Sequence, residues 1–413
     1  MHRPELADVI AQAAAAYEAR YRASPGQQRI LRDLVRCRTA ALGGHKQQCA
    51  QCGHEVISYN SCRNRHCPKC QGSARAAWLA ARAADLLPVP YFHVVFTLPA
   101  PLGPLALQNK RLLYGMLFRA AAATLRTIAR DPQHLGADIG FLAVLHTWGQ
   151  TLQHHPHLHC VVPGGGLAPD GARWVPSRPH FFLPVRVLSR RFRSTFLRLL
   201  RAAFAQGKLQ YHGQLAALAE PTAWQRWVHA LQRVEWVVYA KPPFGGPEQV
   251  LKYLARYTHR VAIANQRLVA VAEGRVTFRW TDYAHGHRPR TMTLDAVEFL
   301  RRFLLHHLPR GLQRIRQYGL LANRRRSTQL ARCRELLGQS HVPVGSAPPE
   351  PADGLDATPS REVCPACGSG RLTIVAIILP ATPALAPRGP PRGGPPTPRG
   401  TPPGGSPEGG RSP

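Results

Sequence analysis

Acidic side chains are scarce in this chain: 22 Asp and Glu stand against 54 Lys and Arg over 413 residues, a formal net charge of +32. A charge of that size points to a polyanionic partner, most simply a nucleic acid. The Ala, Pro and Arg richness of a GC-rich genome accounts for part of the excess. Long apolar runs are also missing. No stretch of about 18 apolar residues and no secretory leader pattern occurs, so a membrane partner is not expected and the chain reads as soluble and intracellular. No Gly-x-x-x-x-Gly-Lys-Ser/Thr loop is present, which argues against a linked nucleoside-triphosphate motor. Nor are the cysteines scattered as in a disulfide framework. Six of the ten fall between Cys37 and Cys70 with Cys-x-x-Cys spacing among them, and in a long intracellular chain that favours metal over disulfides.

Apolar spacing predicts two helices between Glu5 and Arg38, broken at Pro25-Gly26. Residues 43 to 72 lose periodicity and fill with Cys, His, Gly and Asn. Ser73 is placed to cap a helix through Trp78 to Leu87. Tyr91 to Leu98 and Ile139 to Trp148 read as strands, with a long helix from Leu105 to Arg130 between them. Further helices are expected at Val187 to Phe204, Pro221 to Leu231 and Leu294 to His307, and a strand at Val234 to Ala240. Arg267 to Ala272 and Arg275 to Trp280 flank Glu273-Gly274 as a hairpin. Arg314 to Arg326 is basic, and from Ala381 onward 11 of 33 residues are Pro and 8 are Gly, a composition expected to stay disordered.

Cys49-Ala50-Gln51-Cys52 and Cys67-Pro68-Lys69-Cys70, with fourteen residues between them, are two knuckles of the kind that enclose a structural zinc ion. The expectation is one zinc held by Cys49, Cys52, Cys67 and Cys70. Cys37, His45, Cys62 and His66 are the material for a second. Arg63, Arg65, Lys69 and Arg75 surround the knuckles and suit phosphate contacts. Cys364-Pro365-Ala366-Cys367-Gly368 reads as half a knuckle, with Cys333 and His341 as weak partners for it.

In His157-Leu158-His159 the two imidazoles of a strand point the same way and can converge on one divalent ion, Mg²⁺ or Mn²⁺ in working conditions. His146 on the preceding strand, or Gln150 just after it, is the candidate third ligand. In Tyr253-Leu254-Ala255-Arg256-Tyr257 a helix would put both phenols on one face. A metal site and a tyrosine pair are the parts needed to cut a DNA strand and hold its end covalently. The bland alternatives are a His-rich strand end satisfied by hydrogen bonds and an aromatic stripe on a core helix. Arg256 and Arg324-Arg325-Arg326 are further phosphate candidates, and Trp174, Trp280 and Tyr283 are candidate base-stacking platforms.

These motifs resemble a known family. Asn64-Arg65-His66-Cys67-Pro68-Lys69-Cys70-Gln71, Phe92 to Pro99, Leu145 to Gln150, Pro156-His157-Leu158-His159 through Gly166, and Tyr253 to Arg260 together look like a rolling-circle insertion-sequence transposase of the two-tyrosine HUH class. The resemblance covers roughly residues 28 to 340. It implies an α+β fold, an antiparallel-sheet HUH nuclease domain flanked by helices and preceded by a small helical zinc-binding domain. The implied division is 1–88 for the zinc-binding DNA-recognition unit, 89–310 for the nuclease, 311–340 for a basic helical extension and 341–413 for a disordered tail. It further implies His157 and His159 as metal ligands, Tyr253 and Tyr257 as nucleophiles, single-stranded or hairpin DNA at insertion-sequence ends as partner, and a bacterial cytoplasmic, nucleoid-associated location. The half-knuckle and Pro/Gly-rich C-terminus depart from the family pattern. Two other functions remain open: a rolling-circle replication initiator of the same chemistry, and a non-catalytic zinc DNA-binding protein.

Overall fold

The computed structural model describes residues 3–244, 249–250, 261–283, 285–338 and 363–381. Tyr253, Arg256, Tyr257 and His341 lie outside the described residues.

The two N-terminal helices, α1 (Leu6–Arg20) and α2 (Pro25–Arg36), form as expected. Pro25 occupies the first turn of α2, where its missing N–H costs nothing. Ser24 closes a capping box there, its N–H donating to Gln27 Oε1 at 2.9 Å and its Oγ accepting from Gln27 N at 3.4 Å. The hairpin β1 (Gly44–Cys49) and β2 (Glu55–Tyr59) leads to the cysteine-rich loop. Helix α3 (Gln71–Ala83) starts directly after Cys70 rather than at Ser73.

The centre of the molecule is built from β3 (Tyr91–Thr97), α4 (Gly103–Gln108), α5 (Lys110–Arg130), β4 (Gly140–Trp148) and β5 (His154–Pro163). The helix expected from Leu105 onward is split at Asn109, whose side chain donates to the Gln210 carbonyl and accepts from its N–H, both at 2.8 Å. A small hairpin of β6 (Gly165–Leu167) and β7 (Trp174–Pro176) precedes α6 (Val185–Ala205) and α7 (Pro221–Arg233). Strand β8 (Val238–Phe244) begins four residues later than expected. The displacement has a packing cause: Trp236 is drawn into the core against Phe192 and Phe196, and its indole N–H donates to the Leu231 carbonyl at 2.9 Å.

The expected hairpin appears as β9 (Leu268–Ala272) and β10 (Arg275–Asp282), and β11 (Arg288–Asp295) adds a third strand to it. β11 is mostly exposed; its apolar alternation is confined to Met292 and Leu294, which pack on the second core, after a polar Arg288-Pro289-Arg290 start that masks the strand in the sequence. Helix α8 (Ala296–Leu305) follows, capped by Asp295 accepting from Val297 and Glu298 N–H at 3.0 Å. The basic stretch beyond residue 311 is not a purely helical extension. Its first part is β12 (Ile315–Gly319), which joins the central sheet beside β4, and only then comes α9 (Arg326–Leu336).

The central sheet has the order β12-β4-β5-β3-β8, every pair antiparallel, with the histidine strand β5 in the middle. One face, including Phe92, Phe96, Phe141, Leu145 and Leu158, packs on α5, α6 and α7. A second core joins α1 and α2 to α8, β9 and β10 through Leu6, Ile10, Leu34, Phe278, Phe299 and Phe303. The N-terminal helices therefore share a core with residues far beyond the boundary expected at 88.

The expectation of disorder from 341 to 413 fails for residues 363–381. Strand β13 (Leu372–Ile378) pairs antiparallel with β1, from Gly44 opposite Ile378 to Cys49 opposite Leu372. The Pro and Gly content of the tail as a whole hides this short β-branched run. Among the described residues no helix is long and apolar enough to cross a membrane.

Candidate active site and metal centres

The middle position of β5 decides what its histidines meet. His146 on β4 stands opposite His157, and Val144 opposite His159; on the other side β3 places Thr97 opposite His157 and Val95 opposite His159. Because strand side chains alternate, His157 and His159 emerge on one face with His146, while Leu158 and Cys160 enter the core on the other. One ring nitrogen from each of His146, His157 and His159 lies within 4.8 Å of the others. Gln150, the other candidate third ligand, donates from Nε2 to Tyr283 Oη at 3.4 Å.

The hydrogen bonds around the three rings set how they present themselves. His157 Nδ1 is 2.6 Å from the His155 carbonyl, which can only accept, so Nδ1 carries a proton and Nε2 is the nitrogen left to face a ligand. His159 Nδ1 is 2.8 Å from Nε2 of His93 on β3, with the two rings nearly parallel at 10°. His93 is buried, and burial first, then Lys241 and His157, push its pKa down to about 3. It is therefore neutral, and one of the two rings donates while the other accepts. Trp148 stacks on His146 at 4.6 Å and 19°. His146 and His159 are buried and His157 is half-buried, so the group opens toward solvent at His157. In the sequence His93 reads only as part of a buried strand. Its inward histidine in an otherwise apolar run is the signal that could have found it.

The face that carries the histidines continues as Leu142, Val144 and Val161, which share a buried cluster with Val250. Behind the site, His306 ties the end of β4 to the following loop. Its Nε2–H donates to the Leu152 carbonyl at 3.1 Å and its Nδ1 accepts from Thr147 Oγ1 at 3.2 Å. Burial pushes His306 down to about 3, so it remains neutral in this role.

The cysteines assemble differently from the single set expected. Cys67 and Cys70 join Cys37 and Cys62, whereas Cys49 and Cys52 join Cys364 and Cys367; within each group the sulfurs lie within 4.8 Å of one another. The two knuckles adjacent in sequence thus belong to separate clusters, because the β1–β2 hairpin carries the first away from the loop that holds the second. His45 pairs along β1, and the His66 ring lies against Phe303 and His307, so neither enters a cluster. Cys333 is buried beneath the sheet and is not part of the Cys364 and Cys367 group. In the first cluster, hydrogen bonds from Cys62 and then Cys67 lower the Cys37 thiol to about 2, while the bond with Cys37 raises Cys62 to about 12. Such a set of crowded sulfurs, one favouring thiolate at the expense of its neighbours, suits a dication with tetrahedral thiolate coordination.

Comparison with known proteins follows the same division. A family described as "Putative transposase" matches residues 140–328, and one described as "Transposase zinc-binding domain" matches residues 9–98. The chain is 56% identical over 395 residues to "Putative transposase y4qJ" of Sinorhizobium fredii, covering 94% of this chain and 98% of that protein. The chain belongs to this transposase family. The transposase is also 28% identical over 355 residues to "Transposase for insertion sequence element IS801" of Pseudomonas savastanoi pv. phaseolicola, over 83% of this chain and 82% of that protein. No solved structure matches it.

Among the basic residues singled out in the transposase, Arg63, Arg324 and Arg325 are exposed. Arg75 is half-buried on α3, and Lys69, Arg65 and Arg326 are engaged internally. Lys69 pairs with Glu5, Arg65 donates to the Leu312 carbonyl at 3.2 Å, and Arg326 bridges Gln317 at 3.0 Å and Asp85 at 3.3 Å. Tyr283 is exposed beside the site, whereas Trp174 and Trp280 are half-buried.

Proposed function

We propose that this transposase nicks and rejoins single-stranded DNA at the ends of its insertion sequence through a tyrosine-linked intermediate, with a divalent ion at the histidine group. The observation that carries this reading is the convergence of His146, His157 and His159 from two adjacent strands, in a chain of a transposase family. The donor set fits a metal: three imidazoles on one face, one of them with Nδ1 tied to a carbonyl so that Nε2 is left to coordinate, and open at His157. A divalent ion there would polarise the scissile phosphate and balance charge on the departing oxygen. Imidazole softness alone favours zinc or nickel, and Mg²⁺ or Mn²⁺ would act through abundance in working conditions.

The chain's own residues supply the rest. Tyr253 and Tyr257 are the proposed nucleophiles, and Val250, three residues before the first, is buried in the same cluster as Leu142, Val144 and Val161 on the histidine face. The phenol oxygen forms a bond to phosphorus while the bond from phosphorus to the 3′ oxygen breaks. The phenolic proton leaves, the 3′ oxygen departs as a hydroxyl, and a 5′-phosphotyrosine remains that a 3′ hydroxyl can attack to rejoin a strand. A second tyrosine lets one hold the donor end while the other cuts the target. His93, bonded to His159, orients that ring, and Trp148 packs His146 in place.

The test is incubation of purified protein with labelled single-stranded oligonucleotides from the element's ends, with Mn²⁺ or Mg²⁺, followed by denaturing gels and protease digestion. A protein-linked 5′ product that requires the metal, and is lost in His157→Ala and in the Tyr253→Phe/Tyr257→Phe double variant, is the expected result. Tight binding without any covalent product under either metal would overturn the proposal and leave a DNA-binding protein.

A further inference from the structure

We propose that Cys49, Cys52, Cys364 and Cys367 form a tetrathiolate zinc site, split between distant parts of the chain, that fastens residues 363–381 onto the zinc-binding domain as its third strand. The match to the transposase zinc-binding domain ends at residue 98 and the other family match at 328, so neither reaches Cys364.

Sulfur spacing is the first argument. Cys49 Sγ is 3.8 Å from Cys367 Sγ, and Cys52 Sγ is 3.6 Å from Cys364 Sγ. Four sulfurs at about 2.3 Å from a tetrahedrally coordinated zinc stand about 3.8 Å apart. A disulfide would bring a pair to about 2 Å. Zinc binding here would release the thiol protons to solvent and leave four thiolates on the ion.

The second argument is that the two halves are the same object. Each is Cys-x-x-Cys-Gly, and in each the glycine N–H returns to the carbonyl of the first cysteine, Gly53 to Cys49 at 3.0 Å and Gly368 to Cys364 at 2.9 Å. Both glycines sit in the left-handed region, at φ of 72° and 69°, where a side chain would strain the turn. Gly370 N–H donates to Cys367 Sγ at 3.3 Å. A Cβ at Gly370 would overlap the sulfur of Cys49, so only glycine lets the halves close. Cys364 and Cys367 therefore make half of a complete site, not a remnant.

The third argument concerns what else could hold the segment. β13 pairs with β1 along its length, yet Ile374 is 59% exposed and Ile377 69%, so the strand buries little apolar surface. Main-chain pairing with so little burial is marginal in water. The side-chain ties of Ser369 Oγ to Gln51 Oε1 at 2.9 Å and Thr373 Oγ1 to the Gln48 carbonyl at 3.3 Å are exposed. A metal spanning the two knuckles supplies the missing free energy.

The experiment counts cysteine-bound zinc in the full chain, as the metal released by a thiol-blocking mercurial, so that any ion on the histidines is not included. Two zinc ions per chain are expected, falling to one in Cys364→Ser/Cys367→Ser. In that variant the amides of residues 44–49 should exchange faster with deuterium while residues 154–163 are unchanged. One zinc in the unmodified chain, two in the variant, or iron in place of zinc would overturn the proposal. Should the variant not fold, the count on the unmodified chain decides: two supports the split site and one sinks it. None of these readouts depends on strand cleavage.

Discussion

Eight of the nine residues of β4 are buried, whereas β2 and β13, the strands flanking the knuckle strand β1, have no buried residue at all. The histidine sheet is held by an apolar core on one face and a second buried cluster on the other, so its imidazoles are placed by packing before any ion arrives. The β1, β2 and β13 sheet has little to bury, and under the split-site proposal its shape rests on sulfur–metal bonds, whereas Cys37, Cys67 and Cys70 sit in the second core. In one molecule, the proposed histidine site stands on a finished scaffold, and the proposed knuckle site completes a region that packing alone leaves unfinished.

Removing zinc is the strongest way to break that comparison. Structural zinc in small domains contributes about 10–16 kcal/mol of apparent binding free energy. A strong chelator should abolish amide protection in β1 and β2 while β4 and β5 keep theirs. Equal loss in both regions would show that the sheet also leans on the cysteines. The converse perturbation is Phe96→Ala. Phe96 is fully buried against Phe192 at 5.0 Å, and its truncation should cost about 3–5 kcal/mol in denaturant unfolding with cysteine-bound zinc retained.

Acid should act on the sheet side. His306 sits at about 3 when folded against an ordinary 6.5, so the unfolded chain takes up a proton that the fold refuses. Its contribution is whole above about pH 6.5 and declines as pH falls toward 3, by about 1.4 kcal/mol per pH unit. Urea unfolding at about pH 7 and pH 5 should differ by about 2 kcal/mol from this residue, a component that His306→Gln removes. His93→Ala tests whether the sheet preorganises the ligands. Loss of its bond to His159 should weaken Mn²⁺ binding in titration calorimetry about 10–100-fold, with the fold intact. The smallest effect expected is at Ser24→Ala, where loss of the capping box costs about 1 kcal/mol in thermal unfolding and leaves metal binding unchanged.

The legible parts were those whose evidence is local. His157-Leu158-His159 is a strand triplet with its partner His146 on the preceding strand, one turn away in the chain, so alternation and adjacency brought the three together on paper as in space. The same held for the hairpin at Glu273-Gly274 and the helices flanking Ser24. Local evidence misled where long-range packing intervened. Trp236 moved the start of β8, and Asn109 broke a helix to bind Gln210.

By itself, the sequence determined the chemistry available: a strongly basic chain, imidazoles at strand spacing, and Cys-x-x-Cys knuckles, since residue type and short-range period are carried by neighbours along the chain. Only the tertiary structure decided which knuckle faces which. Cys49 and Cys52 lie closer in sequence to Cys67 and Cys70 than to Cys364 and Cys367, and the pairing of β1 with β13 reverses that order in space. Four sulfurs close on a metal by distance and direction, and neither is a function of separation along the chain.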